Sequence, residues 1–160
     1  MSTSNTEIMN IKRIVKIRTI TPTDALWNQV ANYAENCSWG AGKSLSEKMK
    51  SLFFSDWERV IVCLEDDKIC GYCTVAKDDC IEDVSYSPYI GYIFVDESYR
   101  GNRLSQKMIE FAIGYLKSIG FDRVHIVSDH ENLYEKYGFS VVDRNLAPWG
   151  EIEKIYLKKL

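Results

Sequence analysis

The chain lacks an apolar run approaching the ~18 residues that a membrane-spanning helix needs. Its first ten residues are polar and carry no apolar core of an export signal. These two absences predict a cytoplasmic protein with no membrane partner. A charge of one sign is also missing: 20 Lys and Arg stand against 23 Asp and Glu, mixed along the chain, for a net charge of -3. A nucleic-acid surface needs a concentrated basic face, so no nucleic-acid partner is expected. No internal repeat, low-complexity tract or interior linker divides residues 11–160. They are read as one domain behind a flexible leader over residues 1–10.

A second set of metal ligands is missing as well. The five cysteines are Cys37, Cys63, Cys70, Cys73 and Cys80. Cys70-Gly71-Tyr72-Cys73 has the spacing of a metal or redox pair, but no further Cys pair or His pair completes a zinc site. The pair also lies inside an apparent strand, where positions three apart point to opposite faces. An odd cysteine count without an export signal predicts free thiols acting as small hydrophobes. No metal is expected.

What is present reads as alternating strands and helices. Ile11 to Ile20 alternates basic and β-branched residues, as a half-exposed strand does. Ala25 to Cys37 has apolar residues at helical spacing, and Ser44 with Glu47 resembles a capping box for a second helix ending near Phe54. Residues 38–43 make a flexible joint between the two. Arg59 to Leu64 and Ile69 to Val75 form a hairpin around residues 65–68, and Lys77 to Pro88 is a polar loop. Tyr89 to Val95 is an almost continuous apolar run, suited to a central strand. Arg103 to Ile119 is helical, with one apolar stripe and Gly120 as its stop. Strands follow at Arg123 to Ser128, Ser140 to Arg144 and Ile152 to Leu157, with a short helix at Glu131 to Tyr137.

The chemistry gathers between residues 89 and 139. A strand enters the turn Tyr99-Arg100-Gly101-Asn102-Arg103-Leu104-Ser105 and a helix leaves it. The first N–H groups of a helix have no internal partner and point outward together, so such a turn can hold an anion. Gly101 permits close backbone approach, and Arg100 and Arg103 can fork onto phosphate oxygens. The turn lacks the Gly-Lys-Ser/Thr ending of a nucleotide-triphosphate loop and the later glycines of a dinucleotide fingerprint. The same segment can be read as an ordinary solvated helix start.

A second landmark is Leu133-Tyr134-Glu135-Lys136-Tyr137-Gly138-Phe139. With it, the segment resembles the GNAT family of acetyl-CoA-dependent N-acetyltransferases. That family carries Gln/Arg-x-x-Gly-x-Gly/Ala between its fourth strand and third helix, and Leu-Tyr-x-x-x-Gly-Phe further on. Arg100 matches the first position, whereas Arg103 stands where Gly is usual and Ser105 where Gly or Ala is usual. Ser128 takes a place where an Asn is frequent. The resemblance covers Arg59 to Leu160, and the earlier residues fit it in outline. It implies an α/β (α+β) fold: a central mixed, mostly antiparallel sheet of about six to seven strands flanked by about four helices.

The resemblance further implies that acetyl-CoA is the acyl donor. Phe94 and Val95 would meet its pantetheine arm and acetyl carbonyl through their backbone, and Arg100, Gly101, Asn102, Arg103, Leu104 and Ser105 would cradle its pyrophosphate. The Val95 N–H, freed where the central strands part, would steady the oxyanion. Tyr134 would be the general acid, its phenol protonated at neutral pH and able to supply the leaving thiolate; alternatively it is a buried anchor. The acceptor would be a primary amine of a small molecule or peptide, and a homodimer through the C-terminal strands is possible.

An alkylamine has pKa ~10.4 and must lose a proton before it attacks. Asp96, Glu97, Glu82, Asp83, His130 or a water relay are the candidates, and the sequence selects none. His125 alternates within a strand and reads as structural. Trp27, Trp39, Lys43, Glu35 and Asn36 lie where specificity would arise, and Asp78, Asp79, Glu82 and Asp83 favour a cationic acceptor. Two other readings stand beside the enzyme: a non-catalytic coenzyme-A-binding sensor or interaction module, and an unrelated α/β protein.

Overall fold

The computed structural model describes residues 14–54 and 56–160. The expected leader over residues 1–10, and the start of the first predicted strand, lie outside them. Seven strands and three α-helices follow in the order β1 (Val15–Ile20), α1 (Trp27–Asn36), α2 (Ala41–Lys50), β2 (Arg59–Glu65), β3 (Lys68–Ala76), β4 (Tyr89–Val95), α3 (Leu104–Ser118), β5 (Arg123–Ser128), β6 (Ser140–Leu146) and β7 (Ile152–Lys159). The sheet order is β1-β2-β3-β4-β5-β7-β6. Each neighbouring pair is antiparallel except β4 and β5, which are parallel. This is the mixed, mostly antiparallel sheet that the family resemblance implies. The fourth expected helix, near residue 134, is a 3-10 turn over Tyr134–Tyr137. Among the described residues no helix is long and apolar enough to cross a membrane.

Alternation in the strands builds a core on each face of the sheet. Ile61, Val75, Ile90, Val124 and Ile126 pack against the buried stripe of α3, Met108, Ala112 and Leu116. Val60, Val62, Leu64 and Tyr72 pack on the other face against Trp27, Val30 and Ala34 of α1 and Leu45 and Met49 of α2. Trp27 is an anchor there, 4% exposed, with its indole N–H donating to the Met49 carbonyl at 3.1 Å.

Two sequence expectations give way. Helix α2 begins at Ala41, three residues before the proposed capping box. Ser44 is therefore interior to the helix, and its hydroxyl shares a 2.7 Å hydrogen bond with the Tyr92 phenol instead. The Cys70 and Cys73 thiols do not point to opposite faces, since both join the α3-side core. The cause is a register shift between β2 and β3, where Cys63 faces Gly71 but Leu64 faces Ile69. Cys70 is the extra residue, and a bulge of that kind resets the alternation.

Strands β4 and β5 touch at one place. Their ladder holds the single pair Tyr89↔His125. His125, buried, clamps it: its N–H donates to the Pro88 carbonyl at 2.9 Å, and its Nδ1 lies 3.1 Å from the same oxygen. Beyond this pivot the two strands part, and a cleft opens between them.

Candidate active site

The cleft is a cavity of about 730 Å³. Its β4 wall carries Ile90 to Ile93, and its β5 wall carries Ile126 to Ser128 with Asp129, His130 and Tyr134 beyond. A bulge shapes the first wall: Tyr72 faces Phe94 and Thr74 faces Gly91, so Cys73 stands opposite both Tyr92 and Ile93. Tyr92 takes φ +48°, a left-handed conformation unusual for a bulky residue. No local sequence pattern announces that bulge.

Tyr134 is 6% exposed and lines the cavity. Its ring packs edge-on or tilted against His130, Tyr137, Phe139 and Tyr156 at centroid distances of 5.5–6.4 Å. Burial pushes its pKa up to about 12, against a lowering contribution from the Ser128 hydroxyl. Ser128 Oγ also accepts the His130 N–H at 3.0 Å, which fixes the segment leading to Tyr134. The proposed acid and the proposed anchor are thus one residue, packed on its ring and open at the cavity.

The end of β4 presents backbone to the gap. The Asp96 N–H donates to the Cys70 carbonyl at 2.8 Å, toward β3. By alternation the Val95 N–H and C=O face the other way, toward the side from which β5 has withdrawn. Arg100 takes the Val95 carbonyl through Nε at 3.2 Å, and its guanidinium lies 6.0 Å from the Phe94 ring centre. Phe94 itself is 5% exposed, and by the same alternation its N–H and C=O face Tyr72 of β3, so the expected backbone contact from this position falls to Val95 alone.

At the start of α3, Gly101 takes φ +88° and Arg103 φ +58°. The Asn102 amide donates to the Tyr99 carbonyl at 3.0 Å. The Lys107 N–H is bonded to the Arg103 carbonyl, and no side chain caps the helix. The N–H groups of Leu104, Ser105 and Gln106 are left without i–4 partners in the helix. Leu104 is buried, so it offers its N–H alone. Arg103 occupies a backbone region that glycine enters freely, which gives a physical meaning to the departure at this position. Arg103→Gly is expected to stabilise the free protein by about 0.5–1 kcal/mol, read as a rise in Tm of ~2 °C.

Of the base candidates from the sequence, His130 alone lines this cavity. Asp96 is turned to Tyr33 (2.7 Å) and Ser98 (2.7 Å), with its pKa lowered chiefly by the Tyr33 hydroxyl, and it lines a separate small cavity with Glu97. Glu82 and Asp83 are exposed and do not line the main cavity. Trp39 does line it, stacked on Phe94 at 6.0 Å and edge-on to Tyr92. Lys43 does not reach it, Glu35 pairs with Lys50, and Asn36 bonds the Asn32 carbonyl.

Acid lines both walls: Asp78 and Asp79 on the β4 side, Asp129 and Glu153 on the β5 side. Glu153 was not singled out in the sequence. It is 5% exposed, accepts the Trp149 indole N–H at 3.1 Å, and leaves Oε2 without a hydrogen bond. Burial raises its pKa, and Asp129 and Glu151 add to the effect. The ligand oxygens of Asp129, Glu151 and Glu153 lie within 4.8 Å of one another, the one such grouping suited to a cation among the described residues.

This geometry has relatives. An aminoglycoside 6'-N-acetyltransferase complexed with coenzyme A superposes with a TM-score of 0.70 at 15% identity, over 90% of this chain and 96% of that one. A GNAT-family acetyltransferase from Streptococcus pneumoniae gives a TM-score of 0.63 at 18% identity, over 92% and 100%. At such identities the likeness is one of fold. N-alpha-acetyltransferase 30 of Saccharomyces cerevisiae is 30% identical over 97 residues, 54% of this chain and 55% of that protein, so the chain spans about half the length of this curated relative. The family model for the acetyltransferase (GNAT) domain matches residues 56–141, more than half of the chain. That stretch runs from β2 to the start of β6 and includes both landmarks and the parted strands: the chain belongs to the GNAT acetyltransferase family.

Proposed function

We propose that this protein is an acetyl-CoA-dependent N-acetyltransferase that acetylates a primary amine of a small molecule or peptide by direct attack. The observation that carries the reading is the phenol of Tyr134, lining the cleft that opens where β4 and β5 part. The residues present suit the acyl donor. The uncapped N–H groups of α3 and the Arg100 and Arg103 side chains would hold a pyrophosphate. The Val95 backbone, which faces the gap, would pair with an extended pantetheine arm, as a departed strand would.

Each group then has a role. The Val95 N–H would face the carbonyl oxygen as it gains charge. The acceptor nitrogen bonds to the carbonyl carbon, the C–S bond breaks, and Tyr134 protonates the sulfur. A phenol with pKa about 12 keeps its proton through the working pH range and so is in the form that can donate to the sulfur as the C–S bond breaks. Carboxylates on both walls favour an acceptor that arrives as a cation.

The test is thermal and then chemical. Acetyl-CoA at 100 times its Kd is expected to add ~2.7 kcal/mol, a rise in Tm of about 5–10 °C. Cationic amines are expected to release free thiol from it. An unchanged Tm would contradict the coenzyme site, and a raised Tm without thiol release from any amine would favour a binding module.

A further inference from the structure

Deprotonation of the acceptor needs a base on the cleft, and the candidates read from the sequence leave that place largely open. After β3 the chain turns back across the start of β4. Asp79 in this loop lies against Gly91: a methyl group built on Gly91 would meet Asp79 Oδ2 at 2.9 Å and Thr74 Oγ1 at 3.2 Å. The absent side chain leaves the room that the carboxylate fills. Its other oxygen, Oδ1, accepts the Cys80 N–H at 2.6 Å, which orients the group. Gly91 immediately precedes the bulge at Tyr92 and Ile93, so Asp79 stands on the β4 wall, while Tyr134 stands on the wall beyond β5.

We propose that Asp79 is the general base of this reaction, an inference that rests on the reading of the chain as an N-acetyltransferase. Asp79 Oδ2 takes one proton from the acceptor ammonium, and the freed lone pair forms the N–C bond. The C–S bond then breaks, and the sulfur leaves with its electron pair and receives the Tyr134 proton. The nitrogen's remaining excess proton restores Tyr134, and the proton on Asp79 passes to solvent, one released per turnover. Acid and base thus face the reacting carbon from opposite walls.

The groups facing Asp79 are Lys48 of α2, Asp78 and Cys80 of its own loop, and Tyr89 of β4, with Glu153 of β7 beyond Cys80. Burial raises the Asp79 pKa above the usual carboxylate range, opposed by the Cys80 hydrogen bonds and by Lys48. That shift moves it toward the pH at which a base is most effective.

Thiol release at pH ~6–10 would be compared for wild type, Asp79→Asn, Asp79→Glu and Gly91→Ala, with the Tm shift on coenzyme A as the control for folding. Asp79→Asn is expected to lower kcat about 100-fold near neutral pH. The deficit should shrink by about tenfold per pH unit as free amine accumulates toward its pKa of ~10.4. Asp79→Glu should recover part of the rate, and Gly91→Ala should lower it by displacing a carboxylate that is still present. An Asp79→Asn variant that binds coenzyme A and stays within about threefold of wild type at every pH would overturn the assignment. A wild type that binds coenzyme A and releases no thiol with any amine would overturn the acetyltransferase reading, and the base with it.

Discussion

Tyr134→Phe is expected to lower kcat about 100- to 1,000-fold while the KM for acetyl-CoA changes little. The substitution removes one hydroxyl and keeps the ring that packs against His130, Tyr137, Phe139 and Tyr156. The pocket should therefore stay closed, with stability within about 1 kcal/mol of wild type. The pH dependence has a definite sign. With its pKa at about 12, the phenol is protonated through the ordinary working range, so its titration gives wild type no alkaline fall in kcat below pH ~11. An alkaline limb near pH 10 that vanished in Tyr134→Phe would place the acid's pKa lower than burial sets it. Stopped-flow thiol detection with saturating amine separates kcat from KM and decides the matter.

Gly42→Ala is expected to cost about 2–3 kcal/mol of stability and to lower Tm by ~5–10 °C. Gly42 sits where α2 meets α1. A methyl group there would fall onto the Ala34 carbonyl oxygen and 2.8 Å from Cys37 Sγ. Backbone cannot swing aside as a side-chain tip can, so the helices must separate. Since α2 carries Ser44 and Lys48 into the cavity wall, the KM for acceptor should rise as well. Gly40→Ala is the control, because nothing lies within 4 Å of a methyl at Gly40. Its effect should stay within about 0.5 kcal/mol. Urea titration of both variants measures the difference; equal midpoints would show that the helices do not meet at Gly42.

Elements with strong local patterns were legible from the chain. Strand β4 begins and ends where its apolar run does, and α3 is bounded within one residue by its stripe and Gly120. The turn at Arg100 and the phenol at Tyr134 could be read because both are carried by contiguous residues. What escaped depends on partners distant in sequence. The bulges at Cys70 and at Tyr92–Ile93 arise from register between strands, which no single strand encodes. Asp79 resembled its solvated neighbours until the fold set it against Gly91, a residue notable only for lacking a side chain. Glu153 alternates in β7 like any strand residue, and its partner Trp149 comes from the loop before that strand. Helix α2 started early because Trp39 and Gly40 carry the turn that leads into it, with the Gly42 N–H bonded to the Trp39 carbonyl, and the Ser44 hydroxyl found a better partner in Tyr92.

The most direct measurement is a crystal structure of the protein with coenzyme A or a non-hydrolysable acetyl-CoA analogue. The pyrophosphate should lie on the N–H groups of Leu104, Ser105 and Gln106. The pantetheine should run along β4, with its sulfur within about 3.5 Å of the Tyr134 hydroxyl. A ligand seated elsewhere, or a sulfur far from that phenol with the β4–β5 cleft empty, would contradict the account.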